Sequence, residues 1–134
     1  MDNKELVKAA FDAMGKAYAP YSGYTVGAAL LSKSGTLYTG CNVESASYSP
    51  TNCAERTAFM HWAQTGAAMQ EHKPVAIAVV GGKDGVITDF APPCGICRQV
   101  MMEFCDPDTF RIILTNGKEV RSYTLAELLP LGFG

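Results

Sequence analysis

Cys53-Ala54-Glu55 and Pro93-Cys94-Gly95-Ile96-Cys97 are the two stretches of sequence that the fold has to bring together, because their cysteines suit one metal ion. Three thiolates can hold Zn²⁺ and leave its fourth tetrahedral position open, which distinguishes a catalytic zinc from a structural one. Glu55 lies two residues beyond the first cysteine and can reach that open position without occupying it. Because zinc lowers the pKa of bound water toward ~7, a neighbouring carboxylate can then carry protons. We therefore predict one catalytic zinc ion per chain, bound by Cys53, Cys94 and Cys97.

A fourth protein ligand would make this zinc structural instead. His61 follows Cys53 by eight residues on one predicted helix, about 12 Å along the axis at ~1.5 Å per residue. That distance is too long for ligand bonds of ~2.0–2.3 Å to a shared metal. Cys105 is excluded in the same way, because it follows Cys97 by eight residues on its own predicted helix. Spacing does not exclude Cys41 or His72. A redox Cys-x-x-Cys pair is a further alternative, but it leaves the upstream cysteine and glutamate without a role.

The composition is typical of one small enzyme domain. With 134 residues, 48% of them apolar, the chain fits a single catalytic domain over residues 1–134. The net charge of −2 and the scattered lysines and arginines argue against a nucleic-acid partner. The five cysteines are an odd number, so we expect free thiols in a reducing cytoplasm rather than a disulfide framework. Charged residues near the start predict no secretory leader, and no run reaches the ~18 apolar residues of a membrane span.

Helices and strands alternate along the chain. Hydrophobic periodicity and turn residues predict helices over residues 3–18, 53–65, 94–104 and 125–129. Strands are predicted over residues 25–31, 36–41, 75–80 and 110–115, with a hairpin turn between the first two. From residue 36 onward this order requires crossover connections and a partly parallel sheet covered by helices.

The predicted helices give the cysteines a favourable electrostatic setting. Cys53 and Cys94 each begin a helix, where the partial positive charge of the helix dipole favours a thiolate. Three thiolates on Zn²⁺ leave the centre with a net negative charge, which opposes ionisation of bound water. Arg56 and Arg98 follow predicted site residues, so either guanidinium could donate hydrogen bonds to ligand sulfurs and withdraw that charge. A solvated surface arginine is the alternative for each.

Five motifs follow one another along the chain: YSGYTVGAAL at residues 21–30, GCNVESASY at 40–48, TNCAERTA at 51–58, PCGICRQ at 93–99 and LLPLGF at 128–133. In this order they resemble the small, homotetrameric, zinc-dependent cytidine deaminases over nearly the whole chain. The resemblance implies an α/β fold, a three-layer α/β/α sandwich with a central mixed five-stranded sheet. It also implies hydrolysis of cytidine and 2′-deoxycytidine to uridine and 2′-deoxyuridine plus ammonia, a reaction of pyrimidine salvage, by a homotetramer with shared active sites.

The resemblance assigns roles to individual residues as well. It implies that Glu55 carries protons and that Arg56 neutralises charge on the ligand sulfurs, with the three cysteines already named as zinc ligands. The implied nucleoside contacts are the side chains of Asn42, Glu44 and Tyr24, the backbone around Ala54, and, from neighbouring subunits, Tyr48 and Phe133.

Some of these contacts can also be interpreted from the residues alone. An amide and a carboxylate at Asn42 and Glu44, two positions apart at a strand end, lie on the same side and can grip adjacent hydroxyls. A capped turn before the next helix is the alternative for this pair. Tyr24 stands where the resembled family commonly has phenylalanine beneath the base, so its hydroxyl adds a polar atom to an apolar contact.

Three other functions remain open at this stage. A relative of the same fold could deaminate a cytosine nucleoside analogue such as blasticidin S, although Asn42 and Glu44 favour a plain nucleoside. Deamination of a purine ring, as in guanine deaminases, matches less well, because those proteins resemble the histidine-containing form of the motif. The chain could also be a non-catalytic zinc module whose metal stabilises the fold. Glu55 argues against that module, because a structural site does not need an acid beside the metal.

Overall fold

A mixed five-stranded sheet forms the centre of the part of the chain that the structure describes. The computed structural model covers residues 1–47, 50–66 and 73–133. The strands lie in the order β2-β1-β3-β4-β5; β3 and β4 are parallel, and the other neighbouring pairs are antiparallel. The prediction of a partly parallel sheet is therefore confirmed. In chain order the elements are α1 (Asn3–Met14), β1 (Tyr24–Ser32), β2 (Leu37–Cys41), α2 (Ala54–Gln64), β3 (Pro74–Lys83), α3 (Gly95–Phe104), β4 (Arg111–Thr115), β5 (Val120–Thr124) and α4 (Leu125–Leu128).

Helices cover both faces of this sheet. On one face, α1 buries its apolar stripe of Leu6, Ala10 and Met14 against the strands. On the other face, buried residues of α2, α3 and α4 share a second core with the sheet. Side chains alternate along a strand, so the neighbours Ile112 and Ile113 point into different cores. The three-layer α/β/α arrangement is thus confirmed, and none of the helices in the described ranges is long and apolar enough to cross a membrane.

Two glycines let helices lie directly on the sheet. A Cβ atom at Gly27 would stand 2.0 Å from the Ala10 carbonyl oxygen of α1, and one at Gly40 would stand 2.5 Å from the Ala54 carbonyl oxygen of α2. Side-chain carbons do not approach the backbone so closely, and a larger residue would push either helix away. Because α2 begins beside Cys53, Gly40 fixes the height of the first site residues above the sheet.

The helix predicted over residues 3–18 ends one turn early, at its C-cap Gly15. The Tyr18 N–H instead donates to the Asn42 carbonyl oxygen, and the Tyr18 carbonyl accepts from the Glu44 N–H. Because the backbone groups of Tyr18 bond to residues far along the chain, the last predicted turn is not helical. The prediction is therefore wrong over that turn, because tertiary hydrogen bonds override a helical pattern.

Strand β5 does not follow from the residue pattern; only the family resemblance implies a fifth strand. Its first three residues are exposed, because it lies at the edge of the sheet beside β4. An edge strand lacks the apolar run by which a central strand is recognised. The other predicted elements are present with shifted ends, and β3 continues to Lys83.

Candidate metal centre and active site

The N-terminal ends of α2 and α3 bring three cysteine sulfurs together. Cys53 is the N-cap of α2 and Cys94 the N-cap of α3, and Cys97 lies in the first turn of α3. The Sγ atoms of Cys53 and Cys94 are 3.7 Å apart, and those of Cys94 and Cys97 are 3.3 Å apart. Within the described residues, this is the one cluster of three or more His, Cys, Asp or Glu ligand atoms close enough to share a metal ion.

The positions of the sulfurs fit a zinc ion. Tetrahedral Zn–S bonds of ~2.3 Å place ligand sulfurs ~3.8 Å apart, close to the observed separations. All five cysteines are free thiols, so none of the cluster is consumed by a disulfide. Thiolate sulfur is a ligand that zinc favours. The alternative ligands Cys41, His61 and Cys105 lie outside the cluster, and His72 lies outside the described residues.

Neighbouring groups favour a thiolate at Cys53. The pKa of Cys53 is lowered to about 5, chiefly by the nearby Cys97 thiol and also by the Arg56 guanidinium, whereas the pKa of Cys97 is raised, chiefly by the same contact with Cys53. Arg56 Nη2 is 3.6 Å from Cys53 Sγ and 3.4 Å from the Thr51 carbonyl oxygen. Its buried Nε has no hydrogen-bond partner within the described part of the chain. Arg56 thus lies against the sulfur cluster.

Glu55 is buried beside this cluster in the first turn of α2. Glu55 is 4% exposed. This burial raises the pKa of its carboxyl, and the nearby Cys53 sulfur raises it further. Nearby polar groups oppose part of this rise, first the backbone N–H of Glu55 itself and then Cys97 and Cys94. A carboxyl whose pKa is raised above its usual range is better suited to accept and return a proton.

A cavity of about 380 Å³ adjoins the cluster and is lined by Cys53, Cys94 and Glu55. Asn42 and Glu44 line it as well. A cavity of this size, mostly apolar and with a few convergent polar groups, suits a small organic ligand. The other residues in its wall are Ser22, Tyr24, Val26, Thr51, Asn52, Ala54, Val79, Phe90, Ala91 and Pro92.

Asn42 is buried and its side-chain amide is bound to strand β1. Its Oδ1 accepts from the Val26 N–H at 2.8 Å, and its Nδ2 donates to the Tyr24 carbonyl oxygen at 2.9 Å. Each group retains capacity for one more hydrogen bond, since an amide has two N–H donors and two acceptor lone pairs. A structural bond to β1 and a ligand contact are therefore compatible.

Glu44 is held by the segment that leads into β1. Its carboxylate accepts the N–H of Tyr21 at 3.0 Å, the N–H of Ser22 at 3.1 Å, and the Ser22 hydroxyl. The Ser22 hydroxyl bond is the main cause of a lowered Glu44 pKa, so this carboxylate stays ionised. These bonds cap the turn before β1, not a turn before the next helix, and they fix a negative charge at the cavity.

Comparison with known proteins decides the family. A family model described as "Cytidine and deoxycytidylate deaminase zinc-binding region" matches residues 1–112. The chain belongs to this family. Together with the sulfur cluster, membership of this deaminase family identifies zinc as the cofactor.

Relatives within the family match the chain over nearly its whole length. A cytidine deaminase from Sporosarcina psychrophila is 44% identical over 99% of this chain and 92% of its own length. One from Halalkalibacterium halodurans is 46% identical over 99% of this chain and 95% of its own length. The crystal structure of cytidine deaminase from Burkholderia pseudomallei superposes with a TM-score of 0.88 at 45% identity, covering 99% of this chain and 100% of that one.

The sequence pattern misses part of the deaminase cavity wall. Phe90, Ala91 and Pro92 precede the metal-binding turn of α3 and line the cavity. The guanidinium of Arg121, a residue of strand β5, lies 4.4 Å from the centroid of the Phe90 ring. A usable signal existed in the sequence, because residues directly before the ligand Cys94 have to enter the site with it.

Tyr48 and Phe133 are the two residues that the resemblance places across a subunit interface. Tyr48 lies outside the described residues. Phe133 is 78% exposed and is not among the residues that line the cavity. Its carbonyl oxygen accepts a hydrogen bond from Gln99 Nε2 at 2.7 Å.

Arg98, the second arginine considered for the ligand sulfurs, has backbone partners instead. Its Nε donates to the Pro93 carbonyl oxygen and its Nη1 to the Leu128 carbonyl oxygen. Arg56 is therefore the arginine with a hydrogen bond to a ligand sulfur.

Proposed function

We propose that the chain catalyses zinc-dependent hydrolytic deamination of cytidine and 2′-deoxycytidine to uridine and 2′-deoxyuridine, with release of ammonia. The observation that carries this proposal is a buried carboxyl, Glu55, beside three clustered cysteine sulfurs at the wall of a cavity. The family and the names of its closely similar members support the same substrate. We assign residues 1–134 to one catalytic domain.

Proton transfer would be the task of Glu55. Cys53, Cys94 and Cys97 would hold the zinc ion, which when bound lowers the pKa of water so that it can act as a nucleophile near neutral pH. As the water oxygen bonds to C4, Glu55 accepts a proton from it and delivers that proton to N3 of the pyrimidine ring. The same carboxylate then accepts the second proton from the new C4 hydroxyl and transfers it to the amino group. The C4–N bond breaks, ammonia leaves, and C4 becomes the carbonyl carbon of uridine.

Separate groups would bind the sugar and the base. The ionised Glu44 carboxylate and the spare bonding capacity of Asn42 suit sugar hydroxyls. Tyr24 and Phe90 offer aromatic surface to the base, and the backbone around Ala54 meets its polar edge. A fixed carboxylate repels phosphate, which favours a free nucleoside over its monophosphate.

A substrate panel tests this proposal. Zinc-loaded protein is incubated with cytidine, 2′-deoxycytidine, deoxycytidine monophosphate and blasticidin S, and loss of the cytosine absorbance is followed. We expect both nucleosides to have the highest kcat/KM. A preference for the monophosphate or for blasticidin S would overturn the assignment of substrate. Full zinc content without turnover of any compound would favour a non-catalytic zinc module.

Arg56→Gln should retain zinc and lower activity by about 10–100-fold. Without the guanidinium beside Cys53 Sγ, the sulfurs keep more negative charge and water in the site becomes a weaker acid. The acidic limb of the pH–rate profile should therefore move to higher pH. Kinetics across pH, with zinc analysis of each sample, measure this.

Arg111→Gln is the matched control for Arg56→Gln, because it removes the same charge away from the sulfur cluster. The Arg111 guanidinium donates to Asn3 on α1. This variant should keep the wild-type profile. A wild-type rate and pH profile for Arg56→Gln would contradict the role of Arg56 in withdrawing charge from the sulfurs and leave it a purely structural one.

We propose that the chain assembles as a homotetramer with active sites shared between subunits. The C-terminal segment is apolar, and Leu131 and Phe133 are exposed on the isolated chain. Burial against a neighbouring subunit would remove this apolar surface from water. Phe133 would then stack on the base in a neighbour's site, and Tyr48 would reach across the same interface.

Removing residues 131–134 should raise KM for cytidine and leave zinc content intact, because a stacking contact is lost and the metal is untouched. Phe133→Trp keeps an aromatic ring and should preserve KM. Mixing the truncated chain with Glu55→Gln should restore some activity if sites are shared. Wild-type protein that sediments as a monomer with full activity would contradict the shared site.

We also propose that the reaction serves pyrimidine salvage in the cytoplasm. The five cysteines are free thiols, and thiolate zinc ligands are maintained most easily in a reducing compartment. Free nucleosides, the proposed substrates, are the compounds that salvage returns to use.

A further inference from the structure

The guanidinium of Arg98 joins the metal-binding turn to the C-terminal segment. Its Nε donates to the Pro93 carbonyl oxygen at 2.8 Å, and its Nη1 donates to the Leu128 carbonyl oxygen at 2.5 Å. Pro93 directly precedes the ligand Cys94, and Leu128 is the last residue of α4. One side chain therefore bonds both segments.

The Pro93 carbonyl belongs to the peptide unit whose N–H is that of Cys94. In a trans peptide the C=O and N–H groups point in opposite directions within one plane, and the described residues contain no cis peptide bond. The orientation of the Pro93 carbonyl therefore also sets the orientation of the backbone at the ligand Cys94. By bonding the Pro93 carbonyl, Arg98 thus restrains the plane of the Pro93–Cys94 peptide unit.

Few other groups can hold this peptide unit. Pro92 and Pro93 have no N–H groups, so the segment before Cys94 cannot anchor itself by donating backbone hydrogen bonds. The planar guanidinium sets the angle between two acceptors, which the flexible ammonium of a lysine does not. Arg98 is therefore the side chain that decides the orientation of the Pro93 carbonyl.

The next residue along α3 extends the link. Gln99 Nε2 donates to the Phe133 carbonyl oxygen at 2.7 Å. The Leu128 carbonyl is one of the last carbonyls of α4, which a helix leaves without an intrahelical partner. Two consecutive residues of α3 thus satisfy carbonyls of the C-terminal segment.

We propose that Arg98 is a positioning residue that acts through the Pro93–Cys94 peptide unit. It holds the ligand Cys94 in position and ties it to the C-terminal segment. Its effect on kcat rests on the proposed function, whereas its effect on zinc affinity depends on the cysteine cluster alone. Because linkage is reciprocal, zinc should in turn protect residues 125–133 from hydrogen exchange.

Arg98→Gln tests this proposal when zinc affinity is measured by competition with a chelator and kinetics are measured on zinc-saturated protein. We expect zinc affinity and kcat each to fall by about 10–100-fold. KM for cytidine should change little, since the sugar and base contacts are untouched. Arg98→Lys, which keeps the charge and one donor group, should recover part of both losses.

The control is again Arg111→Gln, which removes an arginine hydrogen bond of 2.8 Å to α1 and should leave zinc affinity unchanged. Wild-type zinc affinity in folded Arg98→Gln would overturn the proposal, as would an equal loss in Arg111→Gln. If Arg98→Gln does not fold, weakened zinc affinity in Arg98→Lys supports the proposal and wild-type affinity overturns it. Wild-type protein that binds zinc without turning over cytidine would refute the proposed function, while the affinity comparison would still decide the role of Arg98.

Discussion

Replacing Glu55 by glutamine should remove nearly all turnover of cytidine and leave zinc and fold in place. The amide has the size of the carboxyl but cannot accept and return a proton. Because a positioned general acid–base contributes about 10²–10⁴-fold, kcat should fall at least ~100-fold. The measurement is kcat together with zinc per chain on the same preparation.

Thermal unfolding separates this loss of chemistry from a loss of structure. Burial raises the pKa of Glu55, which means that the fold disfavours its charged form. Glutamine removes that buried charge, so the unfolding temperature should not fall. Glu103→Gln, an exposed change on α3, is the control and should retain wild-type kcat. Activity above about a tenth of wild type would exclude Glu55 as the proton carrier.

Replacing Cys53, Cys94 or Cys97 by alanine should bring zinc content toward zero. Because the free energy of metal binding is coupled to folding, each variant should also unfold more easily. Two remaining sulfurs cannot supply the three protein ligands of a catalytic zinc site. Elemental analysis gives zinc per chain, and unfolding with and without a chelator gives the metal-dependent part of stability.

Two other cysteines provide controls that lie outside the cluster. Cys105 is buried, its pKa is raised by that burial, and it lies outside the sulfur cluster. Cys41 is likewise outside the cluster. Cys105→Ala and Cys41→Ala should keep wild-type zinc content, even where removing a buried sulfur lowers stability. Loss of zinc in either variant would overturn the ligand assignment.

The sequence predicts the local parts of the site well. Cys53 and Glu55 belong to one helix start, and Cys94 and Cys97 to another, so spacing alone relates the members of each pair. We predict that the two helix starts lie close together because neither one alone supplies enough ligands for a zinc ion. The alternating order of strands and helices then limits the topology to a partly parallel sheet.

The features that the sequence pattern misses depend on long-range contacts. Tyr18 leaves the predicted helix because it pairs with residues beyond β2. β5 is a strand because β4 offers it an edge, and its own side chains do not signal that. Arg98 looked equivalent to Arg56 by spacing, yet its acceptors include a carbonyl thirty residues away, at Leu128.

The most direct test of a zinc-dependent cytidine deaminase is a titration of metal-free protein with zinc. Turnover of cytidine is followed by absorbance and bound zinc is measured in the same samples. Activity should rise in proportion to bound zinc and reach its maximum at one ion per chain, with uridine and ammonia formed in equal amounts. Full zinc binding without any uridine, or uridine formation that does not depend on zinc, would contradict this account.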